Sequence, residues 1–338
     1  MFNKNLHLWL PAYIRQTLSN HNTPQKPVHI FFAIVDHFEP YWNEATNDIA
    51  LKRVKTWVEK LPEILSKFKG TDGFSPKHTF FYPEEEYRPE FLEMLADLCK
   101  QGFGDVEIHL HHDNDTPEGL RNKLISFKTI LHERHGLLRK DPKTGETIYG
   151  FIHGNWALCN SRKDGRWCGV NNKLTILKET GCYADFTLPS APSETQTRKI
   201  NSIYYAKDDP ERPKSHDTGI DAEVGRFPEG DLMIIQGLLT LNWKNRKWGL
   251  FPRIENGELS YNNPSANNPS APERIDLWIK QHIHVKGRPE WIFVKIYTHG
   301  AQEKNMKFLL NGGLEEMYGY LGEKYNDGKN YALHYVSA

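Results

Sequence analysis

Apolar residues in this chain form short runs that alternate with amphipathic segments. Residues 28–35 are almost wholly apolar, which is typical of a strand buried on both faces. Residues 48–68 follow with apolar positions at helical spacing and predict a helix. Strands that alternate with helices favour an α/β fold in which helices cover a parallel sheet. The same pattern predicts further strands at 78–82, 106–110, 148–153, 183–186, 202–205 and 291–297, and one strand or a pair of strands at 232–241. It predicts further helices at 90–101, 117–134, 174–180, 272–283 and 303–321.

Titratable side chains follow the predicted strands at the points where the strands end. In a parallel α/β fold the carboxyl ends of the strands meet on one rim, which brings together residues that are far apart in sequence. The sequence therefore predicts one shared site on this rim. Its candidate members are Asp36, His111, Asp115, His153, Asp185 and His299.

The densest group of such residues lies at 109–115, where three histidines and two aspartates occur. Imidazole nitrogens with a carboxylate oxygen form a donor set that divalent metals prefer, and a solvated polar turn is the alternative. Side chains alternate along a strand, so His109 and His111 share one face while His112 takes the other. We expect His109 to be a buried residue that contacts a metal ligand without binding the metal itself, and His112 to have a structural role.

Composition narrows the class of protein. The 338 residues suit one α/β barrel, and equal numbers of basic and acidic residues, 43 of each, give no basic footprint for nucleic acid. Four cysteines without Cys-x-x-Cys spacing favour reduced thiols in a cytoplasmic protein. The first residues predict neither a signal peptide nor a transmembrane helix. Residues 14–18 end a short amphipathic helix that packs on the barrel or makes a peripheral membrane contact.

With these positions in hand, the chain resembles the polysaccharide deacetylase family, the NodB-type carbohydrate esterases. The resemblance is most specific over residues 28–116, and residues 160–272 are not covered apart from the short stretch at 181–185. The stretch FAIVDH resembles the first family motif, an apolar strand that ends in two aspartates. The other matching stretches are KHTFFYP at 77–83, GDVEIHLH at 104–111, GCYAD at 181–185 and IYTH at 296–299.

The resemblance implies a distorted (β/α)7 TIM-like barrel, with residues 1–338 as a single domain and a long insertion around 189–272. It also implies one divalent metal, zinc first, with nickel or cobalt as alternatives. By position, the metal ligands would be His37, His111 and Asp115. Histidine and aspartate are exchanged at two of these positions relative to the family pattern. The exchange still leaves two imidazoles and one carboxylate, which suit zinc-like ions.

The catalytic roles implied by the resemblance are carried over in the same way. Asp36 would be the general base and His299 the general acid. Asp185 would hold a catalytic histidine, or would simply cap a turn. In place of an arginine that the family uses to orient its base, the chain has His153 or Asn155. With Trp156, these two residues are the candidates for substrate binding.

The resulting hypothesis is a metal-dependent hydrolase that removes an N-acetyl or O-acetyl group from a saccharide, either a small or a lipid-linked one. A catalytically inactive barrel that binds carbohydrate or a protein partner is the first alternative. The second alternative is a related barrel that hydrolyses glycosidic bonds, which requires two carboxylates such as Asp36 with Asp113 or Asp185. Bound metal and released acetate separate the first hypothesis from both alternatives.

Overall fold

The computed structural model describes residues 4–19, 25–261 and 267–338. Its helices are α1 (Leu6–Leu18), α2 (Asn47–Leu65), α3 (Pro89–Lys100), α4 (Pro117–Thr129), α5 (Lys173–Glu179), α6 (Pro272–Lys280), α7 (Glu303–Phe308) and α8 (Leu314–Tyr325). Its strands are β1 (Val28–His37), β2 (His78–Pro83), β3 (Gly104–Leu110), β4 (Arg139–Lys140), β5 (Thr147–His153), β6 (Cys182–Asp185), β7 (Ile203–Ala206), β8 (Ile220–Asp221), β9 (Leu232–Ile235), β10 (Thr240–Lys247), β11 (Phe251–Glu255), β12 (Glu258–Leu259), β13 (Trp291–Thr298) and β14 (Tyr331–Tyr335).

Most of the strands form one large sheet with the order β12-β13-β1-β2-β3-β5-β6-β9-β7-β8. Neighbours from β12 to β9 run parallel, and β7 and β8 are antiparallel at one edge. β1 pairs with β13 along one side, and with β14 and then β2 along the other. The predicted α/β class with a largely parallel sheet is confirmed. The carboxyl ends of β1, β3, β5 and β13 consequently lie side by side.

Apolar burial explains why these segments form strands and helices. All six residues of β2 are buried, as expected for a strand covered on both faces. Helix α2 places Val54, Trp57 and Leu61 in the core, and these residues follow the helical spacing seen in the sequence. Throughout the described ranges, no helix has both the length and the apolar character needed to cross a bilayer.

A buried lysine links β13 to the segment that follows β6. The Lys295 ammonium donates hydrogen bonds to the carbonyl oxygens of Phe186 and Leu188. Burial lowers the pKa of Lys295 to about 7. After β9, Gly237 approaches the same strand so closely that a Cβ there would lie 2.7 Å from the carbonyl oxygen of Lys295. The chain that follows β6 and β9 therefore packs against β13.

The structure departs from the sequence-based prediction in the last third of the chain. The helix predicted at 303–321 is two helices, separated by an irregular turn in which Gly312 has a φ of 116°. The segment 232–241, predicted as one strand or a pair, supplies β9 and the start of β10. The antiparallel hairpin of β10 with β11 was not predicted. Strand β14 was also missed. It has five residues, which include His334, and it forms by pairing with β1, a contact that the sequence does not display.

Candidate metal centre

Three side chains at the ends of β1 and β3 form a compact donor group. His37 and Glu39 are two residues apart at the end of β1, and His109 lies on β3. The donor atoms of these three residues all lie within 4.8 Å of one another, and all three residues are buried. We call His37, Glu39 and His109 the donor group.

The hydrogen bonds of His109 leave a lone pair aimed at Glu39. Its Nδ1 lies 2.9 Å from the carbonyl oxygen of Ile152, so Nδ1 carries the proton and donates it. Its Nε2 lies 3.3 Å from Oε1 of Glu39. Burial lowers the pKa of His109, which favours the neutral ring. A neutral Nε2 then faces a carboxylate oxygen, and a cation between them would relieve the repulsion.

The protonation states of the other two residues suit metal binding as well. Burial lowers the pKa of His37 well below its usual value, and the neighbouring His299 lowers it further. Burial would raise the pKa of Glu39, but its close contacts with His109 and with the protonated His111 outweigh burial and hold it well below its usual range. Oε2 of Glu39 is buried and has no hydrogen-bond partner among the described residues.

The spacing also fits coordination. Two ligands of a tetrahedral ion, each about 2.0–2.1 Å from the metal, lie about 3.3 Å apart. Oε1 of Glu39 and Nε2 of His109 are also 3.3 Å apart. Two neutral imidazoles and one carboxylate are a donor set suited to zinc and similar ions. The hydrogen bond from His109 to Ile152 is also the kind of outer contact that fixes a histidine ligand.

His111 lies beside the donor group between two carboxylates. Its Nε2 is 3.2 Å from Oε1 of Glu39, and its Nδ1 is 2.5 Å from Oε1 of Glu85. The backbone N–H of His111 donates to the same Glu85 oxygen. Burial lowers the pKa of His111, but the hydrogen bonds and charges of Glu39 and Glu85 outweigh burial and raise it to about 10. In the absence of a cation, His111 is therefore protonated at neutral pH.

Aromatic rings and His299 surround the exit from the donor group to solvent. The ring centroid of His299 lies 4.8 Å from that of His37. The rings of Trp42 and Trp156 lie 6.4 Å and 6.5 Å from His299. Trp42 is 45% exposed, so these rings open to solvent. We call His299, Trp42 and Trp156 the mouth of the site.

In the metal-free protein, Glu85→Gln is expected to lower the pKa of His111 from about 10 by about one to three pH units, because it removes one of two neighbouring carboxylates. A raised histidine pKa stabilises the fold below the unfolded value of about 6.5, and this stabilisation is lost as pH rises through about 10. The free energy of unfolding should therefore fall less steeply over this range in the variant than in the wild type.

An NMR titration of the His111 ring measures its pKa, and chemical denaturation across the pH range measures the free energy of unfolding. Glu84→Gln, on the same turn, is the matched control and should leave both quantities unchanged. A His111 pKa that is the same in both variants would contradict the role given to Glu85.

A second buried group consists of His112, His153 and Cys168, whose donor atoms also lie within 4.8 Å of one another. Here the chain supplies its own positive charge, because Nζ of Lys173 lies 2.6 Å from Nε2 of His112. Nδ1 of His112 faces Oδ2 of Asp115 at 3.0 Å. The lone pair at Nε2 of His112 thus already has a cation beside it, although Nδ1 makes no hydrogen bond of good geometry, and the donor group is the better candidate for a metal.

The structure brings four of the nine residues predicted for the site together and leaves the other five apart. His37 belongs to the donor group, and His111, His299 and Trp156 lie beside it. Asp115 instead pairs with His112 and Lys123 on the opposite face of β3. Asp115 lies beyond the end of β3, where a sequence motif no longer predicts which way a side chain points.

Asp36 faces away from the donor group because it alternates with His37 along β1. It is fully buried. Its Oδ2 accepts a hydrogen bond from Nε2 of His78 at 2.8 Å, and its Oδ1 accepts one from the backbone N–H of Gly300 at 2.6 Å. Both oxygens are thereby used. Asp36 holds the segment that carries His299, and it does not reach the place where a general base would act.

The remaining predicted residues lie outside the donor group. Asp185 is buried and accepts hydrogen bonds from the backbone N–H and the hydroxyl of Thr187. His153 is buried beside His112, with ring centroids 5.0 Å apart. Asn155 is exposed at the turn after β5. Asp185 therefore caps a turn, which was one of its two predicted roles.

Sequence reasoning missed Glu39 and Glu85 and gave His109 only a supporting role. The spacing of His37 and Glu39 could have indicated a shared face, because they are two residues apart where a strand ends. Glu85 lies in the 3-10 turn Glu84–Glu86 after β2, where three consecutive glutamates give no directional signal.

The site therefore combines a buried donor group, a histidine held between carboxylates, and a mouth with two tryptophans. The resemblance of residues 28–116 to polysaccharide deacetylases rests on the motifs quoted above. No protein-family model matches the chain, and none of the curated proteins compared with it matches either.

Proposed function

We propose that the chain is a metal-dependent hydrolase of the carbohydrate deacetylase type, with His37, Glu39 and His109 as the metal ligands. The observation that carries the proposal is the donor group itself: three buried donors within 4.8 Å, one of them a neutral imidazole whose lone pair faces a carboxylate. The proposal keeps the predicted set of two imidazoles and one carboxylate but moves two of its members to Glu39 and His109.

A divalent ion held there would supply Lewis acidity that favours attack of water on an acyl carbonyl. His111 is the proposed base. Its Nδ1 proton is donated to Glu85, which leaves Nε2 to take a proton from water once a cation has neutralised Glu39. A carboxylate that orients a histidine in this way also strengthens it as a base.

His299 is the proposed acid. It is only half-buried and lies beside His37 at the mouth, so it can reach both the reacting group and solvent. Hydrolysis of an N-acetyl group breaks the bond between the acyl carbon and nitrogen, and His299 would give its proton to the departing nitrogen. Asp36 contributes by positioning, because it binds Gly300 next to His299.

The proposed substrate is an acetylated saccharide. The rings of Trp42 and Trp156 offer flat apolar surface at the mouth, and the titratable groups behind them can orient polar substituents. We also propose that the sheet is the distorted barrel implied by the resemblance. The packing of Lys295 and Gly237 supports this arrangement, since it joins β13 to the segments after β6 and β9.

The test is elemental analysis of the purified chain, followed by assay of acetate release from N-acetylated oligosaccharides. We expect about one zinc, cobalt or nickel ion per chain, and acetate release that stops with a chelator and returns with the ion. The variant His112→Gln, in the second histidine group, should retain the ion and serves as the control.

Three results would contradict the proposal. A folded chain that binds no divalent ion and still binds saccharides would favour the inactive barrel. New reducing ends without acetate would favour a glycoside hydrolase. An ion that is retained after His109→Gln but lost after His112→Gln would move the metal to the second group.

A further inference from the structure

The hairpin of β10 and β11 carries large apolar side chains that are more than half exposed. Trp243 is 54% exposed, Trp248 is 68% exposed and Leu250 is 70% exposed. These residues lie within eight positions around one turn. Exposed apolar side chains that occur singly need no explanation, but a contiguous group of this size marks an interaction surface.

The turn of the hairpin holds a tryptophan in an unfavourable backbone conformation. Trp248 and Gly249 have φ values of 53° and 70°, and the N–H of Leu250 donates to the carbonyl of Lys247. Two-residue turns with positive φ at both central positions favour Asn-Gly, and a bulky residue at the first position is disfavoured. A residue that costs stability and exposes its side chain indicates a role outside the fold.

The same hairpin is strongly basic. Lys244, Arg246 and Lys247 are exposed, and residues 240–254 contain no aspartate or glutamate. Within the part of the chain that the structure describes, none of these three cations pairs with a carboxylate. The Lys247 ammonium lies 4.5 Å from the ring centroid of Trp248, and the Arg246 guanidinium lies 5.9 Å from that of Trp243. Apolar and positive groups are thus interleaved.

We propose that this hairpin docks the protein onto an anionic phospholipid bilayer. Tryptophan rings are favoured at the level of lipid headgroups, and basic side chains are attracted to anionic ones. Leu250, on the tip, would enter the edge of the acyl region. The absence of acidic residues from 240–254 favours an anionic surface over a neutral one. The inference does not depend on the proposed metal centre.

A groove of about 940 Å³ beside the hairpin extends the positive charge. Trp243 forms part of its lining together with residues of α1. The acidic residue in the lining is Asp221, which pairs with Lys199. The basic residues in the lining are Arg15, Arg198, Lys199, Lys280 and Lys286. Arg198 pairs with Asp217 and Lys286 with Glu223, so the additional positive charge of the groove comes from Arg15 and Lys280.

The test is co-flotation of the full chain with vesicles of phosphatidylcholine, either alone or mixed with phosphatidylglycerol. We expect binding to the mixed vesicles, weaker binding at high salt and little binding to phosphatidylcholine alone. Trp248→Asn should reduce binding at least tenfold while relieving the strained turn, so that the variant folds at least as well as the wild type. Reversing Lys244, Arg246 and Lys247 to glutamate should reduce binding by roughly 100-fold or more, at about fivefold for each cation.

Two matched controls separate this surface from general effects. Phe74→Ser removes an exposed aromatic ring elsewhere, and a triple reversal of Lys52, Lys55 and Lys60 on α2 makes the same change in net charge. Both should bind like the wild type. Failure to bind the mixed vesicles, or equal loss in the controls, would overturn the proposal. A dimer that disappears in Trp248→Asn, or an oligosaccharide bound by the hairpin without vesicle binding, would overturn it in favour of another partner.

Discussion

Glu39→Gln is expected to abolish stoichiometric metal binding while leaving the chain folded. Glu39 is the anionic member of the donor group, and its Oε1 lies within 3.3 Å of nitrogens from both His109 and His111. Loss of an outer contact of a metal site typically weakens binding about 10–100-fold, so loss of a ligand should exceed about 100-fold. Acetate release should fall in parallel, because the proposed reaction requires the ion.

The measurement is competition for zinc or cobalt against a chelator of known affinity, with circular dichroism to verify folding. Glu84→Gln is the matched control, since Glu84 lies on the neighbouring turn and outside the donor group. His111→Gln adds a second comparison. If His111 is the base and not a ligand, this variant should keep most of its metal affinity but lose acetate release. Undiminished metal affinity in Glu39→Gln would remove the donor group from consideration.

Asp36→Ala is expected to destabilise the fold by about 3–5 kcal/mol, because it removes one partner from a buried polar network. The Nε2–H of His78 and the backbone N–H of Gly300 both lose their acceptor, and neither can reach water. Each unsatisfied buried donor costs about 1–3 kcal/mol. The segment that carries His299 should also be less well positioned, so acetate release should fall even where the variant is folded.

Urea denaturation measures the loss of stability. Asp97→Ala is the control, because Asp97 is exposed and its pair with Lys100 is expected to contribute less than about 1 kcal/mol. Similar stabilities for the two variants would show that the Asp36 network is not important for the fold. Metal affinity measured below the unfolding transition should be nearly unchanged in Asp36→Ala, which separates a positioning residue from a ligand.

The central strands could be predicted because the sequence itself shows which short segments are apolar enough to be buried. A strand covered on both faces must be apolar at nearly every position, and β1, β2 and β13 satisfy this condition. The location of the site followed from the same reasoning, since parallel strands deliver their last residues to one rim. His111 and His299 were found in this way, and His37 came from the family resemblance.

The choice of ligands was harder because it depends on which face each side chain takes. The resemblance directed attention to Asp36 and Asp115, but alternation along β1 turns Asp36 away and the turn after β3 takes Asp115 to Lys123. Glu39 and Glu85 lie beyond strand ends, where the two-residue spacing of Glu39 from His37 was the one directional signal. Their positions depend on tertiary packing that one sequence does not display.

The hairpin of β10 and β11 escaped prediction for a different reason. Between Trp243 and Leu250 both faces of the hairpin are exposed, so no apolar face alternates with a polar one. A Trp-Gly turn also lacks the usual Asn-Gly signal. A segment whose side chains are mainly exposed to solvent shows no periodic pattern of apolar residues.

The pairing of β1 has a consequence for how the chain acquires its structure during synthesis. One flank of this apolar strand is completed by β13, and half of the other by β14, both encoded far downstream. Until the ribosome has produced them, β1 exposes backbone groups and apolar side chains that readily associate with other chains. Contacts so distant in sequence form slowly. Efficient production of this protein should therefore depend on chaperones that shield the nascent N-terminal segment, and yields should improve at low temperature.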